Sequence, residues 1–469
     1  MTTDCTASQL EFSGLGPRRI QAAFDGGRVT SDGGVLLLRE VALRTRILER
    51  FAGCFSDRRD PERIEHTVAE LLAQRILGIA CGYEDLNDHD TLRDDALLAA
   101  AAGKLDPTGA NRARKRDRGH GLAGKSTLNR LELTTSADHR YKKIGWDPKA
   151  IERFFVDDFL DAHPEPPRSI TIDLDATDDP LHGNQEGRFF HGYYCNYCYL
   201  PLYIFCGDFL LAAKLRTSNR DGADGTVDEL TRIIAQIRAE WPDVEIIIRA
   251  DSGFARDNIM AWCEQNDVQY VLGLAGNSRL RKELETDLAQ ARADSERTKK
   301  PARCFKDFSY RTLNSWSRAR RVVGKAEHII GKDNPRFIVT SLPRKHWAAQ
   351  HLYEKVYCAR GEMENRIKEQ QLDLFADRTS TATLRANQVR LWLSSVAYCL
   401  VNDLRRVGLQ GTELAEATCG TIRTKLLKIG AVVTVSVRRL RVALSSMYPM
   451  QQVFERVLAN VVEEYPLRT

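Results

Sequence analysis

The chain is 469 residues long, 43% hydrophobic and 28% charged, with a net charge of +5. That length exceeds one ordinary core and allows two or three domains, and the balance excludes disordered and fibrous classes in favour of a soluble globular protein. No run reaches the ~18 apolar residues of a membrane helix, and the opening MTTDCTASQLEFSGLG lacks the basic and apolar regions of an export signal, so no membrane and a cytoplasmic location are expected.

The 11 cysteines are scattered and suit reduced thiols. Cys195 and Cys198 form a C-x-x-C, but no second Cys or His pair stands at a zinc-site spacing, and YYCNYCYL reads as an aromatic strand.

Residues 1–160 read as a mainly helical region. In PERIEHTVAELLAQRILGIACGY, Ile64, Val68, Leu71, Leu72 and Ile76 recur at helical spacing, with Pro61 near the start. RARKRDR at 112–118 is net +4 and includes Arg112, Arg114, Lys115 and Arg116. It is either a solvated basic face or a surface for a polyanion. GHGLAGKS at 119–126 matches the phosphate-loop pattern through Gly119, Gly124, Lys125 and Ser126. That loop needs a buried strand entering it, and a charged run cannot be one. The stretch therefore reads as a Gly-rich turn feeding the helix STLNRLELT.

From 165 to 276 the pattern is mixed α/β. RSITIDLDAT alternates as a strand, and YLPLYIFCGDFLLAAKLRTS reads as two strands about the Gly207–Asp208 turn. GTVDELTRIIAQIRAEW is an amphipathic helix, VEIIIRADSGF a buried strand, RDNIMAWCEQNDV a helix and QYVLGLAG another strand. Residues 277–345 are more polar, with strands at SWSRARRVVG and PRFIVTSL. Residues 346–408 hold a long helical run, WAAQHLYEKVYCARGEMENRIKEQQLDLF, and a second helix, NQVRLWLSSVAYCLVNDLRRV. Residues 409–469 end the chain in basic and apolar elements. Between Arg405 and Arg441 eight Lys and Arg face two Glu, which makes a second candidate polyanion surface.

Three acidic positions stand apart. Asp173 and Asp175 point to one side of their strand, with Asp175 nearer its end. Asp251 closes VEIIIRAD just before a Ser-Gly turn. Tyr357, Arg360, Glu364 and Lys368 are spaced 3, 4 and 4, so a helix puts them on one face. Such a stripe is either a solvated ion-pair face or part of a phosphodiester site. For the latter, two Mg²⁺ ions about 4 Å apart need hard oxygen ligands, which three carboxylates supply. Tyr357 and Arg360 would hold nearby phosphates.

These residues resemble the DDE transposases of bacterial insertion sequences. The third motif is similar to Y-x2-R-x3-E, with Tyr357, Arg360 and Glu364. Relatives often place a Lys seven residues after the Glu; here that position is Gln371, and Lys368 is the substitute. The first motif is similar to DLDATDDPLHG, which assigns Asp175, with Asp173 as the alternative; the second is similar to RADSGFA, which assigns Asp251. The gaps are 76 and 113 residues, and the second suits an insertion. DATDDPLHGNQEGRFFHGYYCNYCYLPLY, KEQQLDLFADRTST and IRTKLLKIGA are closer still to insertion-sequence family 1380, from about residue 25 to the end.

The resemblance implies a ribonuclease-H-like mixed-sheet catalytic domain (165–276 and 346–408) around a β-rich insertion at 277–345, after a helical DNA-binding region at 1–160 and before a basic C-terminal region at 409–469. It implies Asp175, Asp251 and Glu364 as catalytic acids and ligands of two Mg²⁺ ions, with Mn²⁺ as the alternative. It implies cleavage of transposon ends and joining to target DNA, a homodimer or higher oligomer on double-stranded DNA, and association with the nucleoid. The DNA contacts expected are Tyr357, Arg360, Lys368, Arg112, Arg114, Lys115, Arg116 and Lys125, with Trp316 either stacking on an unpaired base or filling the core. The rival readings are a phosphate-loop nucleotide hydrolase using Lys125 and a catalytically silent DNA-binding relative.

Overall fold

The computed structural model describes residues 9–133, 140–329 and 331–465; the opening residues of the N-terminal stretch and Thr134 of STLNRLELT lie outside the described residues. The chain divides into two compact units. One holds Met1–Trp146, Asp373–Phe375 and Val396–Thr469, and the other Asp147–Leu372 and Ala376–Ser395.

The second unit is mixed α/β and is built on a sheet of nine strands. Alternation decides its two faces. Ile170, Ile172 and Leu174 of the strand Ser169–Ala176, with Ile246, Ile248 and Ala250 of Glu245–Ala250, enter the main core. Helices Pro148–Asp161 and Thr226–Glu240 supply Val156, Phe159, Leu230, Ile233 and Ile237 to the same core. The residues between them, Asp173, Asp175 and Arg249, consequently belong to the opposite face. In spatial order the strands are Phe209–Lys214, Leu202–Cys206, Ser169–Ala176, Glu245–Ala250, Gln269–Leu274, Arg336–Thr340, Arg320–Ile329 and Ala302–Tyr310, with Lys332–Asp333 paired to Arg320–Ile329. The three strands Ser169–Ala176, Glu245–Ala250 and Gln269–Leu274 are mutually parallel, and the remaining pairings are antiparallel.

The segment 277–345, expected as a β-rich insertion, holds both helices and strands. It opens with two helices, Ser278–Glu283 and Glu285–Thr298, and its strands extend the same sheet, with Thr340 opposite Val271. Apolar pairing explains this: Val271, Val323 and Ile338 share one small core with Leu352 and Tyr353. The helix Pro148–Asp161 also belongs to this unit.

The first unit carries helices such as Val35–Thr45 and Val68–Ala80 together with short strands. Val68–Ala80 begins after Pro61, because Thr67 and Glu70 form a reciprocal cap, while Pro61–Arg63 is a separate single turn capped by Asp60. Two elements far along the chain complete it. The strand Ala431–Val435 pairs with Val29–Thr30, and Gly33 and Gly34 donate to the carbonyls of Ile429 and Leu427 at 2.8 and 3.1 Å. A Cβ on Gly34 would stand 2.0 Å from the Leu426 carbonyl oxygen, so only glycine fits there. Lys428 pairs with the buried Asp32 at 2.7 Å and lies over the Tyr83 ring. No described helix is long and apolar enough to cross a membrane.

Candidate active site

The parallel register places Arg249 opposite Asp173 and Ala250 opposite Leu174. One step further, Asp251 leaves its strand beside Asp175. The two acids differ sharply in their surroundings. Asp173 is buried and takes a bidentate pair from Arg249, at 2.6 and 2.8 Å, while Arg249 also donates to the Val356 carbonyl at 2.6 Å. With both its oxygens held by one guanidinium, Asp173 is an organiser of the sheet and of the segment leading to Tyr357. Asp175 keeps one oxygen for the Ala176 N–H at 2.9 Å and turns the other toward Arg360, 3.9 Å away. Asp251 caps the turn Ser252–Phe254 by accepting from the Gly253 N–H at 2.8 Å.

Tyr357, Arg360 and Glu364 reach this face from one continuous helical run. The run is not uniform: Leu352–Tyr357 is wound as π turns, Cys358–Arg360 as a tight 3₁₀ turn and Gly361–Lys368 as an α-helix. Such irregular winding often accompanies functional sites. Arg360 holds Glu364 at 2.6 Å. Tyr357 reaches Gly273 on the neighbouring strand, where a Cβ would meet its hydroxyl at 2.6 Å and the Ser252 nitrogen at 2.8 Å. A strand glycine here makes room for both. Lys368 is exposed at the end of the helix, and Gln371 donates to the Asp178 carbonyl and to Asp179 Oδ1 at 3.2 and 3.0 Å.

Charge sets the chemistry of the cluster. Burial pushes the Asp175 carboxyl up to about 7; Arg360 pulls against this, and Asp251 and Glu364 add to it. Burial opposes the Arg360 charge, but Asp175, Glu364 and Tyr357 outweigh it and hold the guanidinium above its ordinary value. Burial also raises the Tyr357 phenol, which stays neutral near pH 7. The three carboxylates are hard donors that repel one another, the donor set Mg²⁺ or Mn²⁺ takes. Glu364 is turned to Arg360, and among the described residues no three His, Cys, Asp or Glu side chains are gathered closely enough to hold an ion outright.

Other expected residues lie elsewhere. Trp316 is 4% exposed, set edge-on to Tyr310 and beneath Arg320 in the main core. This corrects the stacking expectation, since the ring has no free face for a base. In the first unit, Arg112 is committed to Glu65 at 2.6 Å and to the His120 carbonyl, whereas Arg114, Lys115 and Arg116 are exposed. Lys125 does open a helix, but a single turn, Lys115–Asp117, precedes Gly119 in place of a strand. Asp90 accepts from the Lys125 N–H at 3.0 Å and pairs with its ammonium at 3.2 Å, so a carboxylate stands where a phosphate would. The 405–441 segment is likewise split. Arg405, Arg406, Arg423 and Lys428 are engaged by Asn402, Asp403, the Ala80 carbonyl and Asp32, which leaves Lys425, Arg438, Arg439 and Arg441 outward. Sequence reasoning did not find Arg249 or Gly273 as partners of the site. The signals present were a basic residue inside an apolar strand and a glycine inside another.

No curated protein matches the chain. Among solved structures, it is similar to the cryo-EM structure of piggyBac transposase in a synaptic complex with hairpin DNA, at 10% identity and a TM-score of 0.39, over 85% of this chain and 80% of that one. The family model described as transposase DDE domain group 1 matches residues 12–465, nearly the whole sequence. The chain therefore belongs to the DDE-domain transposases of group 1.

Proposed function

We propose that the chain is a DNA transposase of the insertion-sequence 1380 type, which cuts transposon ends and joins them to target DNA. The observation that carries the reading is the convergence of Asp175, Asp251 and Glu364, through Arg360, on one face of the sheet. The strand order supports a ribonuclease-H-like core: an antiparallel meander of three strands whose first strand is followed by two parallel ones.

Asp175, Asp251 and Glu364 would hold two Mg²⁺ ions, with Mn²⁺ as the alternative. Bound there, the ions would lower the cost of charge on the attacking and leaving oxygens of a phosphodiester. The residues of the chain do the positioning. Arg360, freed from Glu364, presents a planar pair of donors to a phosphate. Tyr357, neutral and fixed against Gly273, adds one hydroxyl beside it. Asp173 and Arg249 keep the two strands in register, so Asp175 and Asp251 stay adjacent. Arg114, Lys115, Arg116, Lys125 and Lys368 are exposed cations for the DNA backbone, and two ends held together call for a homodimer or larger assembly.

The test uses full-length protein, Mg²⁺ and the DNA that flanks its own gene. Cleaved ends and joined products are expected, with Asp251→Asn and Glu364→Gln losing both while retaining end binding. Full cleavage by either variant would refute the site. Nucleotide hydrolysis that is lost in Lys125→Ala would favour the phosphate-loop rival instead.

A further inference from the structure

Beside the acid site stands a small sheet with no assigned role. Strands Phe189–His191 and Asn196–Tyr199 form a hairpin, and Asp179–Pro180 pairs with its second strand. Its inner residues, Cys198 and Tyr199, are fully buried. Its outer residues are aromatic and open: Tyr193 is 84% exposed and Phe190 57%, with Phe189 and Tyr197 also exposed. Isolated exposed aromatics are ordinary, but four on one short hairpin are a surface.

The hairpin is rigidly tied to the catalytic strand. The Tyr194 hydroxyl donates to the carbonyl of Ala176, the residue after Asp175, at 3.3 Å. Asn196 donates to Asp178 at 3.0 Å, Leu181 to the Tyr197 carbonyl at 2.8 Å, and Ser218 to the Phe189 carbonyl at 3.0 Å. Burial and the charges of Asp178, Asp175 and Asp251 all raise the Tyr194 phenol, which puts the hairpin base within the field of both acids.

We infer that the Phe189–Tyr199 hairpin is a stacking platform for unpaired bases next to the phosphate that the acid site cuts. The inference rests on the proposed phosphodiester chemistry of Asp175 and Asp251. A duplex buries its base faces and shows phosphates and base edges, which cations and polar groups read. This hairpin offers the reverse. Arg188, the cation just before its first strand, lies 4.0 Å from the Tyr197 ring centre and donates to the Gly183 carbonyl and Asn184. What remains open is ring surface: Phe190 meets Tyr197 edge to face at 5.5 Å, and Tyr193 meets Tyr194 likewise at 5.0 Å. Aromatic faces bind bases whose own faces are free, largely without regard to sequence. The Tyr194 bond to the Ala176 carbonyl roots the hairpin next to Asp175, so a strand whose phosphate lay there would bring its neighbouring nucleotides toward these rings. The platform would hold the strand ends open while the cut is made.

The experiment measures two things on the full chain. Anisotropy of a labelled 12-nucleotide single strand reports binding without cleavage. Rate of end cleavage is compared for fully paired ends and for ends with three mismatched pairs at the flank. For Phe190→Ala with Tyr193→Ala, single-strand affinity is expected to fall about tenfold or more, while duplex affinity changes less than about twofold. Cleavage of paired ends falls by a similar factor and returns with the mismatched ends. Phe190→Trp with Tyr193→Trp should keep wild-type behaviour, which separates stacking from loss of fold. Unchanged single-strand affinity in the alanine variant overturns the inference, whatever the protein cleaves. So does an alanine variant that loses self-association by light scattering with single-strand binding intact, which would make the rings a contact between two copies. If the wild-type protein cuts no ends but the affinity loss is seen, the platform stands and the cleavage reading falls.

Discussion

Asp175→Asn separates a repelled catalytic acid from an ordinary structural one. In the fold its carboxyl is pushed from 3.8 to about 7, by burial first and by Asp251 and Glu364 in addition. That displacement amounts to about 4 kcal/mol of preference for the protonated form. Below pH 3.8 the group is protonated folded and unfolded, and costs nothing. Between 3.8 and about 7 the unfolded chain sheds the proton that the fold retains, so stability falls as pH rises, and the loss is complete above about 7. Asparagine mimics the protonated carboxyl at every pH. Urea unfolding followed by tryptophan fluorescence in EDTA should therefore show the variant equal to wild type near pH 4 and up to about 4 kcal/mol more stable at pH 8. Saturating Mg²⁺ should close the gap by stabilising wild type, since a ligand of the folded state adds RT ln(1 + [L]/Kd). The variant should cut no DNA at any pH. A difference in stability that does not change between pH 4 and pH 8, or a variant less stable at pH 8, would refute the placement of Asp175 among opposing charges.

Asp173→Asn or Arg249→Met alone should destabilise by about 3–5 kcal/mol in urea unfolding, because each leaves a buried group unpaired, whereas the double change Asp173→Leu with Arg249→Met should recover most of that. Gly273→Ala forces the Ser252 nitrogen and the Tyr357 hydroxyl aside; a misplacement of about 1 Å should lower end cleavage about 10²-fold with much less effect on DNA affinity, and equal loss of both would argue against it. Lys428→Met strands the buried Asp32 carboxylate and should cost about 3 kcal/mol or more; in a urea series Asp32→Asn with Lys428→Met should be milder than Lys428→Met alone.

Local patterning carried much of the site. Alternation in ITIDLDA is enough to place Asp173 and Asp175 on one side, and the apolar run before Asp251 is enough to bring it to a strand end. The 3- and 4-residue spacing of Tyr357, Arg360 and Glu364 survives in a helix whose winding changes twice. What local pattern could not decide depended on partners far along the chain. Asp173 is held in a buried ion pair because Arg249 lies opposite it in the sheet. Trp316 leaves the surface because Tyr310 and Arg320 enclose it. The basic count from 405 to 441 reads as a surface until Asp32, Asn402, Asp403 and the Ala80 carbonyl claim half of it. Charge in a sequence is countable, but its direction depends on contacts that close late.

The same late closure bears on how the protein is made. The turn at Asp32, Gly33 and Gly34 is finished by Leu427, Lys428 and Ile429, and the strand at Val29 by Val432. A ribosome therefore completes the second unit while the N-terminal unit still lacks its last strands and its final helix, Gln451–Glu464. Contacts of such sequence separation form slowly and leave apolar surface waiting. A chain ended early by a stop codon or frameshift would carry the whole acid site and an unfinished N-terminal unit. Decay of the reading frame from its 3′ end would thus remove the folded protein before it removed any residue of the candidate site.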